Sequence, residues 1–222
     1  CPVRVRALAR EQRPQCTAVF RAGRVEGVCQ GLTSSYCGLC IAGPGPSNLQ
    51  ALPTLHVIKT LYLTRHAKSD PAGPGQQDFD RPLSQQGRLD AARMAERFAE
   101  RKEPVDAIVS STARRAITTA RFCSAALGNM PVHETRDIYH ADLYALEAIL
   151  RALPDAHDRV MIFGHNPGFS ELVEHLAAPH LYHLSPCTTV RIDLHVGQWH
   201  EVASGTGTMA WWDSPKRDRA DL

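Results

Sequence analysis

From His56 onward the chain alternates apolar runs of strand length with stretches of helical periodicity. His56 to Thr64 is a β-rich run that ends just before Arg65-His66. A polar loop rich in Pro and Gly follows, from Ser69 to about Pro82. Leu89, Ala92, Met94, Ala95 and Phe98 then recur at helical spacing, and Ser84 stands where an N-cap belongs. Asp106 to Ser110 predicts a short buried strand, and Ala113 to Leu127 a helix stopped by Gly128-Asn129. A short strand is expected around Ile138-Tyr139, and a helix from Asp142 to Leu153, ended by Pro154. Arg159 to Phe163 reads as an apolar strand that runs straight into Gly164-His165-Asn166-Pro167-Gly168, with a helix from Ser170 to Leu176. Thr188 to Leu194 and Trp199 to Ala203 read as two closing strands joined at Gly197-Gln198.

Strands that alternate with helices of this length predict an α/β fold. The expected architecture is a three-layer sandwich, a mostly parallel central sheet flanked by helices. Ligands of such sheets lie beyond the carboxyl ends of the strands. His66 and His165 each follow a buried strand by one or two residues, so both belong at one rim.

Composition changes the picture at the N-terminus. Five of the seven cysteines (Cys1, Cys16, Cys29, Cys37, Cys40) fall in the first forty residues. Arg4, Arg6, Arg10, Arg13, Arg21 and Arg24 face only Glu11 and Glu26 before residue 53. The breaker cluster Gly43 to Asn48 follows. The expected organisation is therefore an N-terminal extension over 1–53, a folded domain over 54–210 and a charged tail over 211–222. The extension shows neither helical periodicity nor alternation. A disordered arm is the leading reading; an Arg-rich targeting segment and sequence outside the working protein are the others. Cys37-Gly-Leu-Cys40 has redox or zinc spacing, but a single CxxC lacks its second ligand pair.

A hydrophobic share of 43% and a net charge of +2 describe an ordinary globular domain and give no reason to expect nucleic-acid binding. No apolar stretch approaches the ~18 residues of a membrane span. A monomer in the cytoplasm is expected, with organellar import left open by the arginines.

Arg65-His66 carries the chemistry. A guanidinium fork matches phosphate oxygens and stays charged at any working pH. A neutral imidazole is a competent nucleophile for phosphorus and forms a covalent intermediate. The transferring phosphoryl group then needs further positive groups around its equatorial oxygens. Arg114-Arg115 and His165 follow later strands and supply them. No carboxylate pair or His/Cys cluster accompanies them, so no metal and no cofactor are expected in the folded part.

The segments LYLTRHAKSD (61–70), DFDRPLSQQG (78–87), SSTARRAITTA (110–120) and MIFGHNPG (161–168), in that order, resemble the histidine phosphatase superfamily, the phosphoglycerate mutase-like group. The AKS continuation is most similar to the SixA-type phosphohistidine phosphatases. The resemblance covers about residues 57 to 205. It implies a phosphoglycerate mutase-like fold and catalysis by His66, His165, Arg65 and Arg115. His66 is then the nucleophile, while Arg65, Arg115 and His165 bind the phosphoryl group. Aligning Ser111, Ala116 and Thr119 with the family pattern selects Arg115 over Arg114. Ala67 stands where the wider superfamily has Gly, and Thr112 where it often has Pro.

The resemblance leaves the leaving-group acid unassigned. Glu134, Asp137 and Asp142 occupy the segment where the superfamily places it, with no distinguishing pattern. A phosphohistidine substrate needs less help from an acid. Only about forty residues separate Arg115 from Arg159, where mutase-type relatives carry a longer, Glu-containing cap. Both features favour a phosphohistidine protein as substrate; a small phosphomonoester, hydrolysed or isomerised, is the alternative. A lone histidine at a strand end is more often a core residue, and surface helix arginines are common. The four ordered motifs outweigh both readings. Arg81 is expected to shape its loop, Lys68 to add positive field, and His140 and His183 to lie at the rim.

Overall fold

The computed structural model describes residues 59–177 and 183–217. The N-terminal extension, with Cys37 and Cys40, lies outside the described residues. Six strands form one sheet: β1 (Lys59–Arg65), β2 (Ala107–Ser111), β3 (Val132–Thr135), β4 (Arg159–Gly164), β5 (Thr189–Leu194) and β6 (Gly207–Asp213). Their spatial order is β3-β2-β4-β1-β5-β6. The first four run parallel, while β5 and β6 close the sheet antiparallel.

Four helices cover the faces: α1 (Gln85–Glu100), α2 (Arg114–Ala126), α3 (Leu143–Arg151) and α4 (Gly168–Ala177). Successive side chains of a strand point to opposite faces. Tyr62, Met161 and Phe163 accordingly pack with Ala95 and Phe98 of α1 and Ala120 and Cys123 of α2. Leu61, Leu63, Val160 and Ile162 pack with Leu146 and Leu150 of α3 and Leu172, Val173 and Leu176 of α4. Burial on both faces explains the continuous apolar runs of β1 and β4. Lys59 is the exception, 1% exposed, and its ammonium donates to Asp158 Oδ1 at 2.8 Å and to the Asp155 carbonyl at 2.9 Å.

The helix starts follow local chemistry. The Ser84 hydroxyl accepts from Gly87 N–H at 3.0 Å and caps α1, and Asp142 caps α3 by accepting from Ala145 N–H at 2.8 Å. Each such cap contributes about 1 kcal/mol. A Cβ on Gly87 would stand 1.9 Å from the Lys68 carbonyl oxygen. That close approach seats the start of α1 on the loop that follows His66.

Two expected strands lie elsewhere. Ile138-Tyr139 forms a turn, with Tyr139 N–H donating to the Arg136 carbonyl at 2.9 Å, and the strand is β3, a few residues earlier. Ile138 is apolar because it is buried beneath Gly164, not because it pairs in a sheet. Trp199–Glu201 is a 3-10 turn. Trp199 is fully buried and its indole N–H donates to the His157 carbonyl at 2.7 Å, so the apolar signal there reports an anchor. The closing strand is β6, and it carries Trp211, Trp212 and Asp213 into the sheet.

Asp213 binds α1 to that last strand. It accepts from Arg97 Nη2 at 2.6 Å, with both side chains almost fully buried, and from Arg101 Nη2 at 3.3 Å. Removing one partner of a buried pair leaves an uncompensated charge. Asp213→Ala is expected to lower the unfolding free energy by about 3–5 kcal/mol in urea titrations. A change below about 1 kcal/mol would mean that the pair contributes nothing beyond an exposed salt bridge.

Candidate active site

Parallel pairing of β1 with β4 places Arg65 opposite Gly164, and His66 N–H donates to the Gly164 carbonyl at 3.0 Å. The two histidines that follow these strands therefore emerge side by side, their ring centroids 5.1 Å apart. The start of α2, directly after β2, adds Arg115, which is 4% exposed, whereas Arg114 faces solvent.

The tautomer of His66 follows from its partners. Nδ1 lies 2.7 Å from the Ala67 carbonyl, which only accepts, so Nδ1 carries the proton. Nε2 then holds a lone pair, and Arg115 Nε–H donates to it at 3.2 Å. Burial, with the positive charges of Arg115, Arg65 and Arg81, lowers the His66 pKa to about 4, against the opposing effect of its hydrogen bond to the Ala67 carbonyl. His66 is thus a neutral imidazole at neutral pH with a lone pair facing the rim. His165 is 6% exposed, and burial followed by His66, Arg115 and His140 drives its pKa far below the usual range. His165 Nε2 lies 2.9 Å from Ser111 Oγ.

Arg65 Nη1 donates to the Leu184 carbonyl at 2.5 Å and to His183 Nε2 at 3.1 Å. Arg65 Nε and His165 Nδ1 are buried polar atoms with no hydrogen-bond partner among the described residues. Buried polar atoms are rarely left unpaired, and at a cationic rim such atoms suit an anionic ligand. Thr119 holds the loop in place: its hydroxyl accepts from Ala67 N–H at 3.1 Å while donating to the Arg115 carbonyl at 2.7 Å. Ala67 itself is fully buried.

The structure thus brings together all four residues singled out from the sequence, and adds Asp78 and Tyr139. Asp78 accepts from Arg115 Nη2 at 2.9 Å, Tyr139 Oη at 3.0 Å and Arg81 Nη1 at 2.8 Å. Its backbone carbonyl accepts from Arg115 Nη1 at 2.5 Å. Partial burial works upward on its pKa, but the hydrogen bonds from Arg81, Tyr139 and Arg115 prevail and hold the carboxyl far below the usual carboxylate range. The DFDRPL segment carried this residue, yet an acidic residue beside an arginine in a loop has no sequence signature of its own. Tyr139 was hidden because its turn reads as a strand.

Other expectations resolve into local roles. Arg81 also donates to the Asp70 carbonyl at 2.7 Å and to Ser69 Oγ at 2.8 Å, so it shapes the loop. The Lys68 side chain is exposed, and its carbonyl accepts from Ser84 N–H at 3.0 Å. His140 and His183 are exposed at the rim, as expected. Gly164 and Gly168 admit the protein's own atoms: a Cβ would meet Phe169 Cζ at 2.5 Å on one and the Ala141 carbonyl oxygen at 2.3 Å on the other. No group of three or more His, Cys, Asp or Glu side chains is placed to hold a metal ion among the described residues.

A neutral imidazole flanked by arginines, at the carboxyl end of a phosphoglycerate mutase-like α/β sheet, defines a phosphatase hydrolase. The profile of the histidine phosphatase superfamily (branch 1) matches residues 61–159 of this chain. It is similar to a structure from Agrobacterium tumefaciens assigned as the phosphohistidine phosphatase SixA, at 25% identity and TM-score 0.62, covering 71% of this chain and 98% of that one. A second SixA structure, from Nakamurella multipartitia, matches at 25% identity and TM-score 0.61, over 72% and 98% of the two chains. An uncharacterised chloroplastic protein of Arabidopsis thaliana is 27% identical over 74% of this chain and 80% of its own length.

The pKa of His66 gives a direct check. Its folded value lies below the ordinary value of ~6.5, so on acidification the unfolded chain takes up the proton first. The stability contribution is complete above that value and is lost as pH falls toward about 4. In NMR titrations the His66 ring is expected to stay in the Nδ1–H form at pH 6 and to titrate near 4. A midpoint at the ordinary histidine value contradicts the environment described.

Proposed function

We propose that His66 attacks phosphorus through Nε2 and carries the phosphoryl group as a phosphohistidine, which water then hydrolyses. The observation that carries this reading is the Nδ1–H tautomer of a neutral His66 beside Arg115. In the first step the His66 Nε2 lone pair forms the N–P bond while the bond from phosphorus to the leaving atom breaks. Arg65 and Arg115 hold the equatorial oxygens, and His165 supports the transferring group from the neighbouring strand. In the second step a water oxygen displaces Nε2 and inorganic phosphate leaves. Fixed guanidinium charges supply the electrostatic stabilisation.

The substrate we propose is phosphohistidine in a protein partner. The similarity to SixA structures over nearly their whole length supports this reading. So does the short connection from α2 to β4, which carries β3 and α3 but no longer cap, and the exposed His140 and His183 at the rim. The chloroplastic relative and the Arg-rich first 53 residues favour an organelle over the cytoplasm as the setting.

Turnover of a phosphohistidine protein and of p-nitrophenyl phosphate, in EDTA, tests the proposal. His66→Ala is expected to abolish both activities and the acid-labile, alkali-stable phosphoenzyme trapped by rapid quench. Arg115→Ala is expected to lower kcat by about 10²–10³ on both. Activity retained in His66→Ala rules out the nucleophile, and activity lost to EDTA rules out the cation-only mechanism. Turnover of sugar phosphates with none on phosphohistidine points to a small-molecule phosphatase.

A further inference from the structure

The carboxylates of the segment where the superfamily places its leaving-group acid are engaged elsewhere. Glu134 accepts from Arg121 Nη2 at 3.3 Å, Asp137 accepts from Thr135 Oγ1 at 2.9 Å, and Asp142 caps α3. Asp78 is held ionised among Arg81, Tyr139 and Arg115, which makes it a poor proton donor. The turn after β3, however, projects a histidine over the site. His140 Nε2 lies 3.6 Å from Asp78 Oδ2, and the His140 ring stacks on His165 with centroids 6.3 Å apart and planes 21° from parallel. Its side chain is 62% exposed, whereas His165 beneath it is 6% exposed. His66, His165 and His140 thus form a file of imidazoles in which His165 is buried and His140 is open to solvent.

We infer that His140 is the leaving-group acid of the His66 reaction and extends the site from N–P bonds to phosphate monoesters. This rests on His66 as nucleophile. The leaving oxygen departs on the side of phosphorus opposite Nε2, and His140 is an exposed imidazole at the same rim. An imidazole changes protonation within the working pH range, which suits an acid in one step and a base in the next. As Nε2 of His66 bonds to phosphorus, the P–O bond breaks, its electron pair goes to oxygen, and the imidazolium of His140 gives that oxygen its proton. An alcohol leaves, and His140 is neutral. In the second step water attacks phosphorus, its proton passes to His140, and the P–N electron pair returns to His66.

The Asp78 carboxylate lies 3.6 Å from His140 Nε2, the Tyr139 ring packs edge-on at 4.2 Å, and the His165 ring lies beneath it. Arg115 approaches the other side of Tyr139 from α2, its guanidinium carbon 5.9 Å from the ring centre.

His140 has φ 55°, a conformation that asparagine tolerates better than alanine, so His140→Asn keeps the turn and removes the transferable proton. The test is kcat/KM across a series of aryl phosphates, from p-nitrophenyl, whose phenolate leaves unaided, to unsubstituted phenyl. The wild type is expected to depend weakly on the leaving group. His140→Asn is expected to lose about 10²-fold or more on phenyl phosphate but under about tenfold on p-nitrophenyl phosphate. The basic limb of the phenyl phosphate pH profile is expected to vanish with it. An equal loss along the series, no loss on phenyl phosphate, or a wild type that is itself steep or inactive on aryl esters overturns the assignment. His66→Ala runs in parallel: activity surviving there sinks the nucleophile, whereas a silent His66→Ala beside an unaffected His140→Asn sinks only the acid.

Discussion

An imidazole that sits largely out of water beside guanidinium groups gives up its proton, and the chemistry proposed for this rim depends on that fact. A protonated His66 would have no lone pair and would add a third positive charge beside Arg65 and Arg115. Burial and the arginines lower its pKa to about 4, and the Ala67 carbonyl decides which nitrogen keeps the hydrogen. The same arginines have a second use, since a phosphoryl group needs the positive field that the histidine must not carry. In the reaction proposed here, nucleophile and electrostatic clamp are two aspects of one cluster of charge.

Such a cluster needs a backbone that does not yield. The β1–β4 pairing supplies it, because the His66 N–H is held by the Gly164 carbonyl one residue before His165. Around that ladder, Thr119 fixes the loop from α2, and the start of α1 presses on Lys68 so closely that only a glycine fits at residue 87. The second and third motifs therefore act largely through position. Their threonine, serine and glycine set where the arginines and histidines stand.

The sequence made the parallel core legible because β1 and β4 are buried on both faces and leave unbroken apolar runs. It also made the four rim residues legible, since each follows a strand or opens a helix. It was weakest where an apolar residue is buried without pairing in a sheet. Ile138 and Trp199 look like strand residues and are anchors under a turn, so β3 was displaced and the true last strand, β6, was missed. Asp78 and Tyr139 escaped for a different reason. Their place at the rim is created by contacts across 37 and 61 residues of chain, which no local pattern records.

The strand order also has a consequence for how the molecule is made. β1 leaves the ribosome well before its two neighbours, β4 and β5, whose pairing joins Thr60 to Arg159 and to Asp193. Until both have been synthesised, the apolar strand that carries His66 has two open edges, the kind of surface that aggregates during slow, non-local folding. The strand that carries His66 therefore stays unpaired for about a hundred residues of synthesis, until β4 emerges.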